Sequence, residues 1–235
     1  MTQDPVETTR PEPLRSYKLR TAGRMGPARR GAMENLLDRF TVPDGEGVLD
    51  LRTLFGRTIP VVLEIGFGMG TSTLEMAEAD PATGVLAADV HTPGVAALLL
   101  GVDRAGIDSV RVLHGDGREL LQHRIAPGSL AGVRVFFPDP WPKPRHHKRR
   151  LVDAAFVGLV ADRLAPGGTL HCATDWEPYA RQMAEVMAAE PRLALEGDGP
   201  HPRPDWRPLT PYENRGLARG HVVTDLLARR VDPSA

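Results

Sequence analysis

The strongest constraint on the fold is one passage from strand to turn to helix, Glu64-Ile65-Gly66-Phe67-Gly68-Met69-Gly70-Thr71. Pro60 to Ile65 is a β-branched apolar run that reads as a buried strand, and a helix to about Ala79 follows the glycines. Glycine takes positive φ freely and lets the backbone approach a ligand closely, so Gly66 and Gly68 suit a turn that receives a nucleotide-like cofactor. The spacing is G-x-G-x-G with an acid just ahead of it. It is not the G-x-G-x-x-G of pyrophosphate-binding folds, which points away from NAD. A glycine turn alone is weak evidence, and its weight depends on what the later strands carry.

Those strands carry acids. Val85 to Asp89 is short and apolar and closes on a carboxylate 19 positions after Gly70, where a ribose-binding acid is expected. Val110 to Leu113 leads into His114-Gly115-Asp116, and an acid there can accept from an adenine amino group. Taken singly, Asp89 and Asp116 could equally be turn or cap residues. His91-Thr92-Pro93-Gly94 opens an apolar helix through about Arg104. Strands alternating with helices in this way predict an α/β fold, doubly wound on a mostly parallel sheet. Acids closing successive strands would then lie in a row along the carboxyl edge, where open α/β sheets place ligands.

The next strand, Val133 to Phe137, ends in Pro138-Asp139-Pro140-Trp141-Pro142-Lys143-Pro144-Arg145-His146-His147-Lys148-Arg149-Arg150. Proline on both sides of Asp139 narrows the backbone's options, so the carboxylate can be held with less entropy lost. Trp141 offers a flat apolar wall. Five of the eight residues from Lys143 to Arg150 are Lys or Arg and two more are His, dense enough to grip several phosphates. A charge run is usually just a solvated loop. Solubility alone does not explain an isolated acid, a tryptophan and a basic tract at one strand end.

Downstream, Leu151 to Leu164 has helical spacing and stops at Ala165-Pro166-Gly167-Gly168, and Thr169 to Ala173 reads as a fifth strand. Asp175 is placed to cap a helix to about Ala189, a role compatible with touching substrate. Pro191 to Pro208 is rich in Pro, Gly and charge and reads as a mobile surface loop long enough to be a lid. Thr210-Pro211-Tyr212-Glu213 sets a hydroxyl, a ring and a carboxylate together, which could hold a purine. An ordinary turn before a strand His221 to Leu227 is the alternative.

Composition narrows the class. With 235 residues, 41% of them hydrophobic, the chain suits one sizeable domain. Its 29 Lys and Arg against 30 Asp and Glu leave a net charge of -1, so any nucleic-acid surface must come from local clustering. Residues 1–30 are expected to form a flexible extension, basic from about residue 10, serving as a phosphate-binding arm or as a solubilising tail. Residues 31–235 form the domain, opening with a short helix Ala32 to Phe40. The single cysteine, Cys172, excludes an intramolecular disulfide framework and fits a reducing cytoplasm as a small core residue. The longest apolar run, Val95 to Leu100, is too short to span a bilayer, so a soluble cytoplasmic protein is expected, monomer or homodimer.

These residues resemble the bacterial tRNA (guanine-N7)-methyltransferase family. The likeness runs in order from Glu64 to Arg229 through the glycine turn, His91-x-Pro93-Gly94, Phe136 to Trp141 with the basic tract, Ala173 to Tyr179, and Thr210-x-Tyr212-Glu213. It implies a Rossmann-like, class I methyltransferase fold with seven strands, the last antiparallel. It also implies S-adenosylmethionine as cofactor, no metal, and tRNA as substrate, methylated at a guanosine of the variable loop. By that resemblance Glu64, Gly66, Gly68, Asp89, Asp116 and Asp139 line the cofactor site, with Asp139 also catalytic. Lys143, Asp175 and Thr210, Pro211, Tyr212 and Glu213 contact the substrate, and Arg145, His146, His147, Lys148, Arg149 and Arg150 the RNA. Two positions depart from the pattern: Asp89 stands where a glutamate is usual, and Pro144 where a basic residue is common.

Three rivals are weaker. The first is a class I methyltransferase with a different substrate, such as another RNA position, a protein or a small metabolite, and the basic tract argues against the last. A non-catalytic RNA-binding protein has no need of intact acids at four strand ends. An NAD-linked dehydrogenase has the wrong glycine spacing.

Overall fold

A computed structural model describes residues 25–197, 201–218 and 220–231. The chain opens with two short helices, α1 (Pro27–Asn35) and α2 (Leu37–Phe40), and α3 (Leu51–Phe55) follows. Asp50 caps α3, its side chain accepting from the N–H groups of Arg52 and Thr53. Alternation then sets in: β1 (Val61–Ile65), α4 (Thr71–Ala79), β2 (Gly84–Asp89), α5 (Thr92–Ala105), β3 (Val110–His114), α6 (Gly117–His123) and β4 (Leu130–Phe136). A 3-10 helix (Pro144–Arg149) carries most of the basic tract. The remainder is α7 (Ala154–Arg163), β5 (Leu164–Thr174), α8 (Glu177–Ala188), β6 (Leu193–Leu195), α9 (Pro211–Leu217) and β7 (Thr224–Arg230).

The strands form one sheet in the order β3-β2-β1-β4-β5-β7-β6. β1 to β5 are parallel, and β7 lies antiparallel between β5 and β6. The expected doubly wound sheet with an antiparallel last strand is what forms. The order reverses between β1 and β4, which opens a crevice at the carboxyl ends of the strands.

One face of the sheet is mostly apolar, with Arg111 at its β3 end. Leu63, Leu86, Val133, Val135, Leu170 and Cys172 are buried there against Leu121, Phe156, Val160, Tyr179 and Met183. Each large side chain so buried contributes roughly 1.5–3 kcal/mol. Burial pushes the Cys172 thiol up to about 12, so it packs rather than reacts. The other face divides. Val85, Ala87, Val110 and Val112 pack on Leu98, Leu99 and Val102 of α5. In place of apolar residues, Glu64, Arg134 and His171 stand in register across β1, β4 and β5.

Several boundaries moved. The expected first helix starts at Pro27 and breaks at Leu36, and the last strand begins at Thr224, not His221. β5 starts at Leu164, ahead of the glycines, because Leu130 pairs with Leu164 before a register shift. The segment read as a mobile lid is tied down at three described points: β6 pairs with β7, His201 bridges to Asp225, and Arg207 is fully buried. Of the basic arm expected up to Arg30, the part from Arg10 to Arg24 lies outside the described residues, while Arg29 and Arg30 stand on α1 and so belong to a helix and not to a flexible extension. Among the described residues no helix is long and apolar enough to cross a membrane.

Candidate active site

A cavity of about 290 Å³ opens at the carboxyl edge, walled by Ile65, Gly66, Ala88, Asp89, Gly115, Asp116, Phe136, Phe137, Asp139, Trp141, Arg149 and Leu151. Three strand-end acids therefore meet around one space. Asp89 is held hard: its Oδ2 accepts from Gly68 N at 2.7 Å and its Oδ1 from His91 N at 2.8 Å. Burial nonetheless raises its pKa above the ordinary carboxylate value, against the lowering by those two donors. Asp116 caps α6, accepting from Arg118 N at 2.8 Å. The cap thus leaves Asp116 at the cavity wall, where both of its expected roles are compatible.

Glu64 sits one layer below. It is 3% exposed, and its Oε2 has no hydrogen-bond partner. Burial raises its pKa, with the neighbouring Arg134 charge opposing. It touches the cavity only through Ile65 and Gly66, which follow it. Gly68 likewise acts beneath the wall, as the donor to Asp89.

The Asp139 turn is strained at both ends. Phe137 has φ +52° and Trp141 φ +44°, left-handed values that non-glycine residues avoid at a cost of about 1–3 kcal/mol each. Phe137 N still donates to Ala173 O at 2.7 Å, so β5 anchors one end. At the other end Arg150 Nε donates to Pro140 O at 2.9 Å. Asp139 between them is exposed and faces the cavity.

The basic tract splits by burial. Lys143, Arg145 and Lys148 are exposed, His146 and His147 are half-buried, and Arg149 lies over the Trp141 ring, 4.9 Å from its centroid, at the cavity wall. Arg150 does not belong with them. It is 2% exposed, bonds Gln182 and lies 4.7 Å from the Tyr179 ring, so its guanidinium faces the protein and not a phosphate.

The last expected group forms a separate wall. Thr210 caps α9, accepting from Glu213 N at 2.9 Å. Pro211 takes the first helical position. The Tyr212 ring packs 5.3 Å from that of Phe137, and its hydroxyl donates to Asp175 Oδ2 at 3.2 Å. His221 Nδ1, which the sequence did not single out, meets the same oxygen at 3.0 Å. The Glu213 carboxylate turns away from this wall: it is buried and bonded at both oxygens by Arg207. Gly94 was read only as part of a motif, without its close contact with Gly68, and Arg207 was missed altogether. The clue for Gly94 was local, a glycine in the first turn of an apolar helix; for Arg207 there was none.

The strand order, the glycine turn after β1 and the ring of acids at the carboxyl edge define a class I methyltransferase. Solved structures share the fold. The 16S rRNA methyltransferase KamB superposes with a TM-score of 0.58 over 82% of this chain and 98% of its own at 15% identity. TrmN from Thermus thermophilus gives 0.52 over 77% and 47% at 19% identity. At the sequence level residues 58–226 match the profile of a family described as "Putative methyltransferase". The tRNA (guanine-N(7)-)-methyltransferase of Streptomyces coelicolor is 59% identical over 80% of this chain and 70% of its own length. That of Paracidovorax citrulli is 49% identical over 97% and 91%. The chain belongs to the tRNA (guanine-N7)-methyltransferase family.

Proposed function

We propose that this protein transfers a methyl group from S-adenosylmethionine to N7 of a guanine in tRNA, at a guanosine of the variable loop, in the cytoplasm. The observation that carries the reading is the convergence of Asp89, Asp116 and Asp139 on one cavity with Arg149 of the basic tract at its wall. The residues fit the cofactor. The carboxylates of Asp89 and Asp116 would accept from its hydroxyl and amino groups, and Ile65, Ala88, Phe136 and Leu151 would give it an apolar bed. When bound, it supplies a methyl on a cationic sulfur.

The chain's own residues then have three tasks. N7 of guanine carries an in-plane lone pair, so no general base is required. The wall of Tyr212 and Asp175 and the cavity rim at Phe137 and Trp141 orient the purine and exclude water, and positioning dominates such a transfer. Positive charge builds on the purine, and the Asp139 carboxylate, fixed by its strained turn, stabilises it. The exposed Lys143, Arg145 and Lys148 hold the RNA backbone. The methyltransferase domain takes in α1 from Pro27, and the residues before it add a basic extension.

Labelled S-adenosylmethionine incubated with the protein and unmodified tRNA, followed by nucleoside analysis, should place the label on guanine N7; label elsewhere refutes the assignment. Asp139→Asn should lower kcat at saturating substrates on the order of 10²-fold. Near-normal turnover would exclude the carboxylate role.

A further inference from the structure

Arg207 is fully buried, in a proline-rich segment whose composition suggested only a surface loop. Its guanidinium makes four hydrogen bonds to two carboxylates. Nη1 and Nη2 donate to Glu213 Oε2 and Oε1 at 2.7 and 2.8 Å, and Nε and Nη2 to Asp225 Oδ1 and Oδ2 at 2.7 and 2.8 Å. A buried cation costs several kcal/mol in lost hydration, and it persists here because every nitrogen is paired.

What those bonds join matters more than their strength. Glu213 is on α9, beside Tyr212 of the substrate wall. Asp225 is on β7 at the sheet's edge of the site. The guanidinium lies 5.7 Å from the centroid of the Phe137 ring, the residue whose left-handed backbone begins the Asp139 turn. One planar group therefore sits between the substrate wall, the sheet and the foot of the catalytic turn, yet it touches neither the cofactor cavity nor solvent.

We infer that Arg207 is a positioning residue for methyl transfer, setting where the Tyr212 wall stands relative to Asp139. This rests on the function proposed above. The fork geometry is what matters. Lysine keeps the charge, but a single ammonium cannot hold two carboxylates in bidentate fashion. Arg207→Lys should leave α9 attached but displaced.

The test compares Arg207→Lys with wild type in four measurements: thermal unfolding, S-adenosylmethionine affinity by calorimetry, tRNA affinity, and single-turnover methylation with both substrates saturating. The expected result is a single-turnover rate lower on the order of 10²-fold with both affinities retained, the signature of misplaced reactants. A wild-type rate in Arg207→Lys overturns the inference. So does a rate that falls only in step with cofactor binding, which is what a merely structural residue gives. Should Arg207→Lys fail to fold, Glu213→Gln carries the same test, since it keeps the shape of α9 and weakens one side of the fork. Slower single turnover at unchanged cofactor affinity supports the inference, and a wild-type rate overturns it. Wild-type protein that places no methyl on guanine N7 refutes the parent function, whereas a working wild type matched by its variant refutes this inference alone.

Discussion

Gly94→Ala isolates the contact between the glycine turn and α5. The φ angle at Gly94 is an ordinary one, and alanine is favoured over glycine within a helix by about 1 kcal/mol, so the backbone itself raises no objection. The obstacle is steric. A Cβ at Gly94 would lie 1.8 Å from Gly68 O and 3.2 Å from His91 Nδ1. Real Cβ atoms essentially never come within 3.0 Å of another heavy atom, so turn and helix must part by about 1.2 Å. Gly68 is also the residue whose N–H holds Asp89 Oδ2 at 2.7 Å, and a hydrogen bond does not survive a displacement of that size. Overpacking of this kind costs about 1–3 kcal/mol, which the gain in helix propensity offsets in part. With the upper end of that cost, the net loss is about 2 kcal/mol, and at ~2–4 °C per kcal/mol for a chain of this length Tm should fall by roughly 4–8 °C. Loss of the fixed Asp89 should weaken S-adenosylmethionine binding by about tenfold or more, each tenfold being about 1.4 kcal/mol. Thermal unfolding and calorimetric titration measure the two effects. Gly31→Ala, whose Cβ would have nothing nearer than Asn35 Nδ2 at 3.8 Å inside α1, is the matched control and should raise Tm by about 2–4 °C through helix propensity while leaving cofactor affinity unchanged. Wild-type cofactor affinity in Gly94→Ala would mean that the turn is not braced by α5, and the account of Asp89 would fail with it.

Two further perturbations separate roles that the sequence runs together. Arg149→Ala should reduce the slope of log tRNA affinity against log salt by about 1, while Arg150→Ala should leave the slope and lower stability by about 1–3 kcal/mol through the unpaired Pro140 carbonyl. Equal salt slopes in the two variants would undo the division of the tract. His171 is buried with Nε2 2.6 Å from Asp225 Oδ1, and burial lowers its pKa below the ordinary 6.5. A base with a depressed folded pKa stays neutral in the native protein while the unfolded chain takes up a proton, so its stabilising contribution is complete above pH 6.5 and declines as pH falls below it. The stability advantage of wild type over His171→Gln, measured by denaturant unfolding across pH, should therefore shrink on acidification below 6.5; a constant gap would refute this.

How much of this could be read from the chain depends on how far apart the cooperating residues lie. A strand and the acid that closes it are neighbours in sequence, so Asp89, Asp116 and Asp139 were visible together with the sheet edge that gathers them. The polar row was not. His171 meets Asp225 across 54 positions, and Arg207 reaches Asp225 across 18, pairings that exist only once β5 and β7 are in register. Composition misled in two places for the same reason: it counts charges and prolines but gives them no direction. The basic tract gave Arg150 the character of its neighbours, although the end of the 3-10 helix turns it inward. Proline and charge made Pro191 to Pro208 look like a lid, although its described parts are fastened by β6, His201 and Arg207.

Those two buried arginines bear on the carboxylate at the centre of the proposed chemistry. The turn that presents Asp139 needs a left-handed backbone at Phe137 and again at Trp141, and unsupported strain of about 1–3 kcal/mol at each would relax by letting the turn swing. Proline at 138 and 140 limits the swing, yet rigidity in the turn does not say where it points. Arg207 backs the Phe137 ring at one end, and Arg150 grips the Pro140 carbonyl at the other while stacking on Tyr179. Each is locked by groups on a different element, β7 with α9 for the first and α8 for the second. Arg207 and Arg150 thus back the two ends of the Asp139 turn, and neither lines the cavity. Loosening either one should slow methyl transfer while leaving Asp89 and Asp116 in place to bind the cofactor.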